Sequence, residues 1–122
     1  MKKLITLIPV LMLLTMNATA ADKLQHVVSF KFKSGSAPEE IKKVEDAFRS
    51  LKSKIPEMIS LEWGTNVSKE KHDKGFTHCF IVSFRNEQDR DTYIGHAAHK
   101  AFAKSIGPVL EDVFVIDFWV KE

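Results

Sequence analysis

The chain has 122 residues, 18 basic and 16 acidic, with a single cysteine. That length suits one domain with one hydrophobic core. The near balance of charge excludes the basic surplus that draws nucleic acid or anionic lipid, and a lone thiol excludes an internal disulfide.

Residues 1–20 read as a segment to be removed. Lys2 and Lys3 give a positive start, Leu4 to Met16 is almost unbroken apolar sequence, and Ala18-Thr19-Ala20 is a small-x-small cleavage site. This is the three-part pattern of a secretory signal peptide. The apolar run is about 13 residues, against the ~20 a membrane-spanning helix needs; the alternative is an uncleaved N-terminal anchor. Cleavage after Ala20 would leave 102 residues carrying 16 basic and 16 acidic groups. The expected compartment is the periplasm or the medium, with no membrane association after cleavage and no nucleic-acid partner.

The rest, residues 21–122, reads as a single domain in the order β, α, β, β, α, β. The first strand is predicted at about His26 to Phe32, with His26, Val28, Phe30 and Phe32 on one face. Ser36 with Glu39 three residues on has the form of a capping box, and Pro38 fits the first turn. The helix that follows carries an apolar stripe of Ile41, Val44, Phe48, Leu51 and Ile55, and Pro56 ends it.

A second strand is expected from about Ile59 to Val67, and a charged loop from Ser68 closes at Gly75. The third strand, about Phe76 to Phe84, places Phe76, His78, Phe80, Val82 and Phe84 on one face, with Thr77, Cys79, Ile81 and Ser83 opposite. Cys79 reads as a small buried residue rather than a reactive thiol. Asn86 caps the next helix, which Gly95 kinks or splits and Gly107-Pro108 stops. The last strand, about Val113 to Val120, alternates Val113, Val115, Asp117 and Trp119 against Phe114, Ile116, Phe118 and Val120.

Both faces of the third and last strands are thus apolar. Helices cover one face of a four-stranded sheet, and a monomer rarely leaves the other exposed. A second subunit is expected to cover it with two-fold symmetry. Trp63 and Trp119 are expected in the barrel core or at this interface.

The local wording is more specific than the element order. His26 opens a strand ending Phe30-Lys31-Phe32-Lys33. Ile55-Pro56 precedes a strand ending Trp63-Gly64-Thr65-Asn66-Val67-Ser68. Gly75-Phe76-Thr77-His78, Tyr93-Ile94-Gly95-His96-Ala97-Ala98-His99 and Val115-Ile116-Asp117-Phe118 follow in order. This series resembles the stress-responsive α/β-barrel (Dabb) family over nearly all of residues 24–120, departing from it at Phe76, where tyrosine is common, and at Ala97, where proline is common. The resemblance implies an α+β, ferredoxin-like βαββαβ fold with a four-stranded antiparallel sheet, closed as a homodimeric α/β barrel. One branch of that family contains a plant polyketide cyclase. The positions matching its functional residues are His26, His78, Tyr93 and His99, with His99 implied as base and Tyr93 as its helper.

The residues themselves leave this open. His26 and His78 share their strands' apolar faces, His99 lies on one helical stripe with Phe102 and Ile106, and His96 is one turn earlier. An imidazole can act as base near neutral pH, so His99 and Tyr93 are the catalytic candidates, with His26, His78 and His96 as substrate-binding ones. The ligand would be a small hydrophobic carbonyl compound. His96 and His99 also have metal-ligand spacing on a helix, but no metal and no cofactor is expected. The competing expectation is a non-catalytic binding or stress-protection protein in which these histidines are structural.

Overall fold

The computed structural model describes residues 2–12 and 23–122. The expected cleavage site at Ala18 to Ala20 lies outside the described residues.

Strand β1 (Leu24–Phe32) leads through a turn into helix α1 (Pro38–Lys54); β2 (Ser60–Thr65) and β3 (His78–Phe84) follow. The second helical stretch is α2 (Glu87–Gly95) and α3 (Ala97–Ile106), and a 3-10 turn at Gly107–Val109 delivers the chain into β4 (Leu110–Trp119). The strands pair antiparallel in the order β2-β3-β1-β4. This is the expected ferredoxin-like sheet, in which β1 makes the two longest-range pairings, with β3 and β4.

Helix α1 begins differently from the capping-box expectation. Ala37 takes the N-cap position without a side-chain bond, and the Ser36 hydroxyl instead donates to the Lys33 carbonyl at 2.7 Å. Gly35, at φ 82, makes the preceding turn, so Ser36 closes that turn instead of the helix. Glu39 and Glu40 in the first turn and Lys52 and Lys54 in the last complement the helix dipole. At α2 the Asn86 side chain does accept from the Asp89 N–H, at 2.7 Å.

The core lies between α1, α3 and one face of the sheet. Phe48 of α1 stacks on Phe80 of β3 with ring centroids 4.1 Å apart, and Phe30 and Phe102 pack around them. These rings belong to the faces predicted by alternation and by the helical stripe. Trp63 also lies on the helix side, stacked over Phe80 and His78 at the β2 edge. Trp119 pairs in register with the buried Leu24, so it too faces the helices.

Among the described residues, no helix covers the opposite face. There Phe114, Ile116 and Phe118 of β4 are about half exposed, at 52%, 49% and 46%. Cys79 is exposed on this same face, contrary to the expectation of burial. Alternation places it away from Phe80 and the core, and none of the described elements lies over it.

Candidate functional site

The helices cover the sheet unevenly. They pack over β1, β2 and β3 and leave the helix-side residues of β4 open: Val113 and Val115 keep 49% and 48% of their surface. A cavity of about 510 Å³ results between α3 and the β1–β4 pair, within the size range of small-molecule sites. Register sets its length. His26 opposes Asp117, Val28 opposes Val115 and Phe30 opposes Val113, so the cavity runs along these pairs from His26, between apolar walls, to a far end where Glu111 and Asp112 join the lining.

Three chemically active side chains gather at the His26 end. Tyr93, near the end of α2, and His99, in the first turn of α3, have ring centroids 4.6 Å apart. The His26 ring lies 5.6 Å from Tyr93. The break between α2 and α3 makes this possible: His96 caps α3 by accepting from the Ala98 N–H at 3.0 Å, and the chain turns there so that Tyr93 and His99 face one another.

The hydrogen bonds fix which atoms are available. His99 Nδ1 is 3.0 Å from the Ile94 carbonyl oxygen. A carbonyl only accepts, so Nδ1 carries the proton and, in the neutral ring, Nε2 keeps its lone pair. Burial lowers the His99 imidazole below its ordinary value; the Ile94 bond opposes this and nearby His26 reinforces it. Burial also raises the Tyr93 phenol well above its ordinary value, which keeps it a protonated donor. His26 Nδ1 donates to Asp117 Oδ1 at 2.7 Å, which leaves Nε2 as the nitrogen turned away from that carboxylate. Asp117 Oδ2 in turn accepts from Arg90 at 3.1 Å. One imidazole acceptor, one phenol donor and the His26 ring thus adjoin a largely apolar chamber, the constellation needed to take a proton beside a carbonyl and to stabilise the oxygen that gains charge.

His78 and His96 are placed elsewhere. His78 opposes Phe30, at the other end of β1 from His26. Its Nε2 donates to Glu45 at 2.8 Å and its Nδ1 accepts from the Thr77 hydroxyl at 2.8 Å, so both nitrogens are engaged. His96 is spent on the α3 cap. Among the described residues no group of three or more His, Cys, Asp or Glu side chains is arranged to hold a metal ion. Asp117 and Arg90 were not among the sequence candidates. Asp117 had a visible signal, a carboxylate interrupting the apolar face of β4; Arg90 had none.

A larger hollow of about 650 Å³ lies on the uncovered side of the sheet, where the β2–β3 loop bends toward β4. Phe76 meets Phe114 there at 6.2 Å, and Cys79 and Ile81 form its floor.

Comparison with known proteins places these features in a family. The model of the stress responsive A/B barrel domain matches residues 24–120. The chain is 34% identical over 99 residues to the stress-response A/B barrel domain-containing protein HS1 of Arabidopsis thaliana, covering 81% of this chain and 91% of that protein. It is 26% identical over 94 residues to the olivetolic acid cyclase of Cannabis sativa, covering 77% and 93%. Among solved structures, the hydroxynitrile lyase from Passiflora edulis superposes with a TM-score of 0.78 at 25% identity, covering 84% of this chain and 96% of that one. A dimeric ferredoxin-like protein of unknown function from Thermobifida fusca superposes with a TM-score of 0.70 at 20% identity, covering 80% and 91%. A family match spanning residues 24–120, on a βαββαβ sheet of the expected order, makes this chain a member of the stress-responsive A/B barrel domain family.

Proposed function

We propose that this is an exported, homodimeric protein that binds a small apolar carbonyl compound in the His26–Tyr93–His99 cavity and moves a proton on it, in a lyase- or cyclase-type reaction. The observation that carries this is that the Tyr93 phenol ring and the His99 imidazole, whose Nδ1 is held by the Ile94 carbonyl, lie 4.6 Å apart in the lining of a largely apolar cavity.

For ring closure, His99 Nε2 takes a proton from the carbon beside one carbonyl. The carbanion attacks a second carbonyl of the same molecule, forming the carbon–carbon bond, and Tyr93 gives its proton to the resulting alkoxide. For cleavage of a hydroxynitrile, His99 takes the hydroxyl proton, the carbonyl forms and the bond to cyanide breaks, with cyanide leaving with the electron pair. Both uses need a neutral imidazole, and ring closure also needs a protonated phenol, the states that burial favours here. The relatives named as olivetolic acid cyclase and hydroxynitrile lyase support this class of chemistry.

The uncovered sheet face supports the dimer, since three half-exposed β4 side chains and the hollow beside them leave a broad apolar surface in one copy. The dimeric relative from Thermobifida fusca shares the fold. The signal-peptide pattern of residues 1–20 supports export.

The test uses a linear 1,3,5-triketone and an aromatic hydroxynitrile as probes. Turnover of either by the wild type, abolished by His99→Ala while the dimer persists, is the expected result; full turnover by His99→Ala overturns the assignment. A second reading is a binding protein without turnover. It is favoured by the bond from His99 to the Ile94 carbonyl, which ties the α2–α3 corner together. In that case His99→Ala lowers thermal stability alone.

A further inference from the structure

We propose that Arg90 is a positioning residue, which fixes the Asp117 carboxylate between α2 and β4 and through it aims the His26 imidazole into the cavity. Asp117 projects from the helix-side face of β4 directly opposite His26, 91 residues away in sequence. Its two oxygens are divided. Oδ1 takes the His26 Nδ1–H at 2.7 Å and Oδ2 takes an Arg90 N–H at 3.1 Å. A planar carboxylate held at both oxygens cannot rotate about its last bond without breaking a charge-assisted hydrogen bond. Held at one oxygen, it can swing toward water and release the ring.

Arg90 is itself restrained, with a second guanidinium nitrogen 3.1 Å from Asp91. Both side chains of the Arg90–Asp117 pair are about one-fifth exposed, at 21% and 22%, while the His26 side chain is at 8%, so the pair closes the outer side of the site and His26 lies within. Arg90 stands three residues before Tyr93, hence one turn along the same helix face. The bridge to Asp117 therefore also ties the α2 turn carrying Tyr93 to the strand opposite His26. Arg90 is absent from the cavity lining, so it acts through Asp117 and not on the ligand.

This role rests on the proton-transfer reading of the cavity, but it has a readout that needs no substrate. In the histidine-labelled wild type, proton NMR should show a downfield Nδ1–H resonance that His26→Gln removes. In Arg90→Gln that proton should exchange with water about tenfold faster, the change expected from losing one hydrogen-bond restraint. Arg90→Lys, which restores a cation without the planar fork, should fall between them. Exchange at the wild-type rate in a folded Arg90→Gln overturns the proposal, as does the absence of a His26-dependent resonance in the wild type. Should Arg90→Gln not fold, Arg90→Lys decides, and wild-type exchange there overturns it. If the wild type turns over probes, Arg90→Gln should lower kcat with little change in KM. A resonance that behaves as proposed in a protein that turns over neither probe would leave Arg90 in its role and remove the enzymatic reading.

Discussion

The rings of Tyr93 and His99 lie 4.6 Å apart across the corner between two short helices, and neither helix alone would bring them together. Six residues separate them. On one straight helix such a spacing would set them on different faces, about 120° apart around the axis. The break at Gly95 and the His96 cap fold the second half back, so the phenol and the imidazole meet at the end of the cavity.

Tyr93→Phe removes the hydroxyl and keeps the ring that packs against Phe84 and His26. Turnover should fall by about 10²-fold or more, the scale of a general acid–base contribution, with little loss of thermal stability. Steady-state kinetics beside a melting curve check both halves.

The lowered value of the His99 imidazole sets a pH profile. The active base is the neutral ring, so kcat/KM should rise with pH, with a midpoint below the ordinary histidine value of ~6.5, and be level through neutrality. The same shift enters stability. The folded state disfavours the proton, so the His99 contribution is present above the unfolded value and is lost as pH falls through the folded one. Urea unfolding of wild type and His99→Gln, compared at pH 8 and pH 5, should show the wild type losing more on acidification. An equal loss in both would remove His99 as the source.

The Phe48–Phe80 stack joins α1 to β3 at the centre of the core, and Phe80 has no exposed surface. Phe80→Ala should destabilise by about 3–5 kcal/mol through lost burial and the cavity left behind. Phe80→Leu should cost less, since it fills more of the space. Chemical denaturation of the two variants gives the ranking.

The uncovered face should behave as an interface. Ile116→Glu places a charge amid the half-exposed β4 side chains without touching the helix-side cavity. Size-exclusion chromatography with light scattering should report a dimer for the wild type and a monomer for this variant. A wild-type monomer would remove the barrel arrangement. A dimeric Ile116→Glu would move the interface away from this face.

What the sequence by itself determined is what depends on short-range order. Alternation put His26 with Phe30 on one face of β1 and His78 with Phe80 on one face of β3, because a strand turns each successive side chain to the opposite face. The spacing in α1 picked Val44, Phe48 and Leu51 as its buried stripe for the same kind of reason. The tertiary structure alone decided the rest. Ser36 had the right neighbours for a cap but was used by the turn at Gly35, because backbone dihedrals choose among local options. His26 and His78 looked equivalent on one face, and pairing with β4 gave His26 to Asp117 while α1 gave Glu45 to His78. Arg90 and Asp117 meet across 27 residues and His26 and Asp117 across 91. Contacts at such range depend on strand order and on how far each helix reaches across the sheet, and no local pattern of residues encodes either.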